Sequence, residues 1–245
     1  MPRGVGRLLT VPGPLRWAFR MLSFLPGSLY RVWLGESMDD QFQQAHARRM
    51  QRKKAQVDAA VERSRALQGV VVLMTGHGKG KTSSAFGTLY RALGHGQRAG
   101  VVQFITGTQA NGEVTFLLQQ GLLGPGAFAR VAYHAMATGC SWNSQDWAAD
   151  KAAADVAWQA AQRMLADPLL NLVLLDELTF MLEYGYLDAG DVAAAIRARP
   201  PAQNVVITGR SAAPVLLALA DTVSEIADTR HAFRAGVKAQ AGLDF

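Results

Sequence analysis

Several things are scarce in this chain, and each absence removes a class of explanation. A single cysteine, Cys140, occurs among 245 residues, so no disulfide can close within the chain, and a reducing, cytoplasmic compartment is expected. No apolar run approaches the ~18 residues that a bilayer crossing needs, so no membrane span is expected. No HExxH pattern and no cysteine–histidine pair points to zinc, and no segment repeats. Acids are fewer than bases, 19 against 25, yet the excess is local: residues 1–37 hold Arg3, Arg7, Arg16, Arg20 and Arg31 against the single acid Glu36. Basicity concentrated in a tail gives no reason to expect nucleic acid as a partner. Hydrophobic residues make up 49% of the chain, enough for one sizeable core.

What is present divides into three stretches. Residues 1–37 carry Pro12, Pro14 and Pro26 and read as an irregular basic extension, although Leu15–Leu25 is amphipathic enough for a membrane-surface or transit segment. Residues 38–68 contain a segment, Gln41–Leu67, without proline or glycine and rich in Gln, Ala, Arg and Lys, which predicts a helical arm. Its apolar positions, Phe42, Met50, Val57 and Val61, are too sparse to bury a face, so it is either a solvated helix or an arm lying over another subunit. Residues 69–245 hold the core.

The core opens on Gly69–Met74, a β-branched run that predicts a buried strand. It empties into Thr75-Gly76-His77-Gly78-Lys79-Gly80-Lys81-Thr82, and a helical pattern follows with Ala85, Leu89 and Ala92 on one face. Strand, glycine loop, Lys-Thr and helix make a phosphate cradle: glycines let successive N–H groups point inward, and the helix N-terminus adds partial positive charge. Lys81 supplies a full charge, and the Thr82 hydroxyl is placed for Mg²⁺. Against the pattern G-x-x-x-x-G-K-[ST], the first glycine is displaced by one, because position 75 is threonine and the glycine is Gly76.

Further strands are expected at Ala99–Ile105, Arg130–Ala135, Asn171–Glu177, Asn204–Thr208 and Thr222–Ile226. Helices are expected after Glu113, over Asp146–Ala166, Ala189–Arg199 and Ala213–Ala220. This alternation implies an α/β fold, a doubly wound, mostly parallel sheet of the P-loop NTPase type with an N-terminal helical arm. Asn171–Glu177 ends in Asp176-Glu177; such a strand is expected beside the phosphate-loop strand, its acid reaching Mg²⁺ directly or through water. Ligands belong at the carboxyl ends of the strands, where the phosphate loop, Ile105–Glu113, Met136–Trp142, Asp176-Glu177 and Gly209-Arg210 fall.

TGHGKGKT, AFGT, RALGHG, GVVQFI, NGE, MATGCSW, RMLADPLL, VLLDELTFM, ITGR, LADTVSE and HAFRAGVKAQAGLDF together make the chain from Met38 to Phe245 resemble the P-loop type of corrinoid adenosyltransferase. The resemblance implies transfer of the 5′-deoxyadenosyl group of ATP to Co(I) of a corrinoid, cobalamin or a precursor, with release of triphosphate. It implies a homodimer whose amino-terminal helix reaches over the partner's site, a separate flavoprotein as electron donor, and a reversed triphosphate, in agreement with the displaced glycine. Nucleotide binding falls to Gly76, His77, Gly78, Lys79, Gly80, Lys81 and Thr82; Mg²⁺ to Thr82 and Glu177, with Asp176 orienting its water shell or the loop. Lys81, Glu177 and Trp142 carry the catalytic roles, and Cys140 with Trp142 lines the lower face of the corrin. Arg91, on the helix after the loop, faces either the nucleotide or solvent.

Three departures stand out. His77 replaces a usual asparagine, Thr106 a usual lysine, and Cys140 an aromatic that crowds the corrin's lower face. Two other readings use the same residues. One is a P-loop ATPase or small-molecule kinase, and the other a corrinoid- or nucleotide-binding protein with little turnover.

Overall fold

The computed structural model describes residues 27–64, 66–105, 111–124, 128–136 and 146–244, with side chains in the first helix from Asp40 onward. It separates into two units, residues 1–66 and 67–245. In the first, helix α1 spans Gly27–Arg63, and every described side chain on it is exposed. The helix is already formed at Gly27, well ahead of Gln41. Position 38 therefore marks no break in its backbone.

The second unit runs β1 (Val71–Thr75), α2 (Lys81–Gly94), β2 (Ala99–Gln103), α3 (Gly112–Gln119), β3 (Val131–Ala135), α4 (Trp147–Ala166), β4 (Leu172–Asp176), α5 (Leu178–Glu183), α6 (Ala189–Arg197), β5 (Asn204–Thr208), α7 (Pro214–Leu219) and β6 (Thr222–Glu225). The strands form one all-parallel sheet in the order β3-β2-β4-β5-β1-β6. This is the doubly wound α/β sheet of P-loop NTPase type expected from the sequence. In one respect the expectation fails: β4 does not lie beside β1, because β5 pairs with both and separates them. The reason is visible in β5 itself, whose Val205, Val206, Ile207 and Thr208 are all at most 1% exposed and so demand a place covered on both faces. The exposed β6 takes the edge instead.

Alternation along the strands builds two cores. Val71, Leu73, Val173, Leu175, Val205 and Ile207 face α4, α6 and α7 with Trp158, Leu165, Ile196 and Leu216. Val101, Leu172, Leu174 and Val206 face the other way, against Phe86 and Leu89 of α2 and Leu117 of α3. Each fully buried aliphatic side chain contributes ~1.5–3 kcal/mol, so both faces of the central strands are strongly registered. Three helices start on side-chain caps: Asn111 accepts from Val114 N–H, Asp146 from Ala149 N–H, and Asp188 from Asp191 N–H. Helix α2 has no such cap, and its first-turn donors open toward the loop. Helix α5, a six-residue segment missed by periodicity, turns the chain sharply after the Asp-Glu pair.

Candidate active site

The phosphate loop is held by backbone contacts that explain its glycines. Gly76 has φ 99° and Gly80 φ 115°, both in the left-handed region that side chains avoid. A Cβ on Gly76 would stand 2.6 Å from the Ile226 carbonyl oxygen, and one on Gly78 2.5 Å from that of Ala227. Gly78 N–H donates to Ile226 O at 2.7 Å, and Gly76 N–H to Arg210 O at 3.1 Å. Thr75, standing where a glycine is usual, donates its hydroxyl to the same Arg210 carbonyl at 3.1 Å. The turn thus begins at Gly76 because residue 75 completes the strand.

Lys81 is buried at the first position of α2, and its ammonium donates to Gly76 O at 2.8 Å and Gly78 O at 2.9 Å. Burial lowers its pKa; Glu177 pulls it back up, Arg210 lowers it, and Asp176 raises it. Thr82 sends its hydroxyl proton to Asp176 Oδ1 at 3.0 Å. The same oxygen accepts from Thr208 at 2.7 Å, and Oδ2 accepts from the Gln103 amide at 2.9 Å. Burial pushes the Asp176 carboxyl up, and its Gln103, Thr208 and Thr82 donors act against that. Gln103 and Thr208 are site residues that the sequence reading did not identify. The only signal for them was a polar residue closing each apolar strand.

Glu177 has φ 58°, the one positive value for a non-glycine among the described residues. Its N–H donates to Thr208 Oγ1 at 2.8 Å, while its buried Oε2 has no hydrogen-bond partner. A strained residue presenting an unsatisfied carboxylate oxygen, beside a hydroxyl whose proton is already committed, suits a divalent cation. Among the described residues no group of three or more His, Cys, Asp or Glu side chains could hold a metal by itself. Mg²⁺ takes one or two protein oxygens and completes its shell with phosphate and water, so a hydroxyl and one carboxylate oxygen would be donors enough for it.

Without a cation, burial and the neighbouring Asp176 raise the Glu177 carboxyl from 4.5 to about 7, with Lys81 and Arg210 opposing. The folded state then holds this proton more tightly than the unfolded chain. The contribution to stability is full below the unfolded value of 4.5 and is lost as pH rises through about 7, roughly 3 kcal/mol in all. Nucleotide-free Glu177→Gln should match wild type near pH ~4.5 and exceed its stability by about 3 kcal/mol near pH ~8. Denaturant melts across pH check this, and a constant difference would mean that Glu177 titrates normally.

Around the loop, Lys79 pairs with Asp244 at 2.7 Å, which holds the carboxy-terminal segment against it. A cavity of about 450 Å³ opens there, with His77, Arg210, Arg230, His231 and Lys238 among its walls. Arg91 is exposed in the last turn of α2, at the end remote from the loop. Cys140 and Trp142 lie outside the described residues, as does Thr106. The structure therefore brings together the loop, Thr82, Asp176, Glu177 and Gly209-Arg210.

The family model of the ATP:corrinoid adenosyltransferases BtuR/CobO/CobP matches residues 67–245. The chain belongs to this adenosyltransferase family. It is 49% identical over 207 residues to the corrinoid adenosyltransferase CobA of Salmonella typhimurium, covering 84% of this chain and 99% of that protein. The corrinoid adenosyltransferase of Pseudomonas aeruginosa is 48% identical, covering 82% and 96%. That of a Sinorhizobium species is 35% identical, covering 86% and 96%. The adenosyltransferase match coincides with the second structural unit, so it covers every site residue described above.

Proposed function

We propose that this adenosyltransferase transfers the 5′-deoxyadenosyl group of ATP to Co(I) of a corrinoid, releasing triphosphate, in the biosynthesis or salvage of adenosylated cobalamin. The observation that carries the reading is the family match over residues 67–245, which takes in the glycine loop, its buried Lys81 and the uncapped first turn of α2. Co(I) is itself a strong nucleophile, so the protein needs only to align it with the 5′ carbon and stabilise the departing triphosphate. Lys81 leaves its loop carbonyls for phosphate oxygens, and Lys79 exchanges Asp244 for the same charge. The uncapped first turn of α2 adds its N–H groups. Thr82 and Glu177 hold Mg²⁺, with Asp176 behind Thr82; the cation supplies charge neutralisation on the leaving triphosphate.

The corrin side is assigned to Cys140 and Trp142, where Trp142 crowds the lower face and favours reduction to Co(I). A flavoprotein supplies the electron, and the setting is cytoplasmic. No described helix is long and apolar enough to cross a membrane. The chain works as a homodimer in which α1 reaches over the partner's site, which gives its exposed Phe42, Met50, Val57 and Val61 a surface to cover. Deleting residues 1–37 should leave turnover near that of the full chain. Deleting 1–66 should cut turnover at least tenfold, roughly 1.4 kcal/mol of barrier, while the melting temperature moves by only a few degrees. Equal losses in the two truncations would contradict the arm.

The activity itself is tested by mixing the protein with Mg-ATP and chemically reduced corrinoid without oxygen. A light-sensitive adenosylated corrinoid is expected. ATP breakdown without that product would return the site to an ATPase or kinase.

A further inference from the structure

A hydroxyl that serves as a metal ligand must present a lone pair forward, so its proton has to be accepted from behind. Asp176 Oδ1 does this for Thr82 at 3.0 Å, and the quality of that ligand depends on how firmly the carboxylate is held. Thr208 fixes one side at 2.7 Å. Gln103 fixes the other through Nε2 at 2.9 Å, but an amide is two-faced: turned over, it would put an oxygen against the carboxylate. What forbids the turn lies one strand further out. The Tyr133 hydroxyl donates to Gln103 Oε1 at 2.8 Å, and the Asn111 amide approaches the same oxygen at 3.5 Å. Asn111 cannot reverse either, since its own oxygen caps α3 through Val114 N–H at 3.2 Å. The chain of contacts crosses β3, β2, β4 and β5 and ends on the first turn of α2. Gln103 is 2% exposed and Asp176 2%, so water cannot take over either contact.

We infer that Gln103 and Tyr133 are positioning residues for the divalent cation: Tyr133 orients the Gln103 amide, which holds Asp176 so that Thr82 turns its lone pair toward the metal. The inference rests on the assignment of Mg²⁺ to Thr82 and Glu177. Burial and the nearby Asp176 charge keep Tyr133 protonated, as its donor role requires.

The test uses the full-length protein with ATP and Mn²⁺ as a paramagnetic stand-in for Mg²⁺, without corrinoid, so that binding is read apart from turnover. Electron paramagnetic resonance titration gives the Mn²⁺ affinity of the protein–ATP complex. Tyr133→Phe should weaken it about threefold to tenfold, and Gln103→Met at least about tenfold. The double variant should equal Gln103→Met alone, because Tyr133 acts only through that amide. ATP affinity measured in chelator should stay within about twofold of wild type in all three. Additive losses, unchanged Mn²⁺ affinity, or a parallel loss of metal-free ATP binding would each overturn the inference. Should Gln103→Met fail to fold, an unchanged Mn²⁺ affinity in Tyr133→Phe is sufficient to overturn it. If wild type with ATP takes up no Mn²⁺, the metal assignment falls and this inference with it. Normal uptake by wild type and variants alike removes this inference alone.

Discussion

Lys81→Ala should lower kcat/KM by at least about 100-fold. The ammonium is the buried cation of the loop, where it donates to Gly76 O and Gly78 O. A hundredfold loss requires ~2.7 kcal/mol, which lies within the ~1.5–3 kcal/mol that a hydrogen bond to a charged group is worth. The loss should fall on both ATP binding and kcat, because the charge on triphosphate grows as the carbon–oxygen bond breaks. Steady-state kinetics with reduced corrinoid at saturating and limiting ATP separates the two. Near-normal turnover would show that this loop does not hold the triphosphate.

Gly209→Ala should be strongly destabilising. Gly209 has φ 152°, and an added Cβ would stand 1.7 Å from Thr179 Oγ1 and 2.7 Å from Thr179 Cβ. Backbone strain and overpacking cost ~1–3 kcal/mol each, so a loss of about 3 kcal/mol or more is expected, or roughly 6–12 °C in melting temperature. Activity should fall as well, because the next residue, Arg210, offers its carbonyl to Gly76 N–H and to the Thr75 hydroxyl. Thr179 has a buried hydroxyl without a hydrogen-bond partner, so Thr179→Ala alone should cost little. Combined with Gly209→Ala it should restore part of the lost stability. Thermal melts of the two single variants and the double variant check this, and no recovery would place the whole cost in the backbone.

The phosphate loop was legible because its signal is local: glycines, a lysine and a hydroxyl between a strand and a helix. Asn204–Thr208 was read to the residue, since its apolar run is bounded by polar ends. Its place between β1 and β4 was not legible, because strand order is a property of the packed sheet, and β-branched runs do not say which neighbour they choose. Gln103 and Thr208 escaped for the same reason. Each becomes a site residue only when parallel register sets Gln103 opposite Asp176, while Thr208 lies one strand further along. Glu177 was visible as an acid, but its left-handed backbone follows from the turn into α5, too short a helix to show a period. Lys79 with Asp244 joins positions far apart in the chain, a contact that sequence pattern does not encode.

The central claim is that the bond broken in ATP is the carbon–oxygen bond at the 5′ carbon. Attack there releases all three phosphates as one molecule, whereas an ATPase or kinase attacks the γ-phosphorus and leaves ADP. The most direct measurement is the stoichiometry of phosphate products during an anaerobic reaction with Mg-ATP and reduced corrinoid. Triphosphate formed one-for-one with light-sensitive adenosylated corrinoid is the result expected; ADP as the main product would contradict the account.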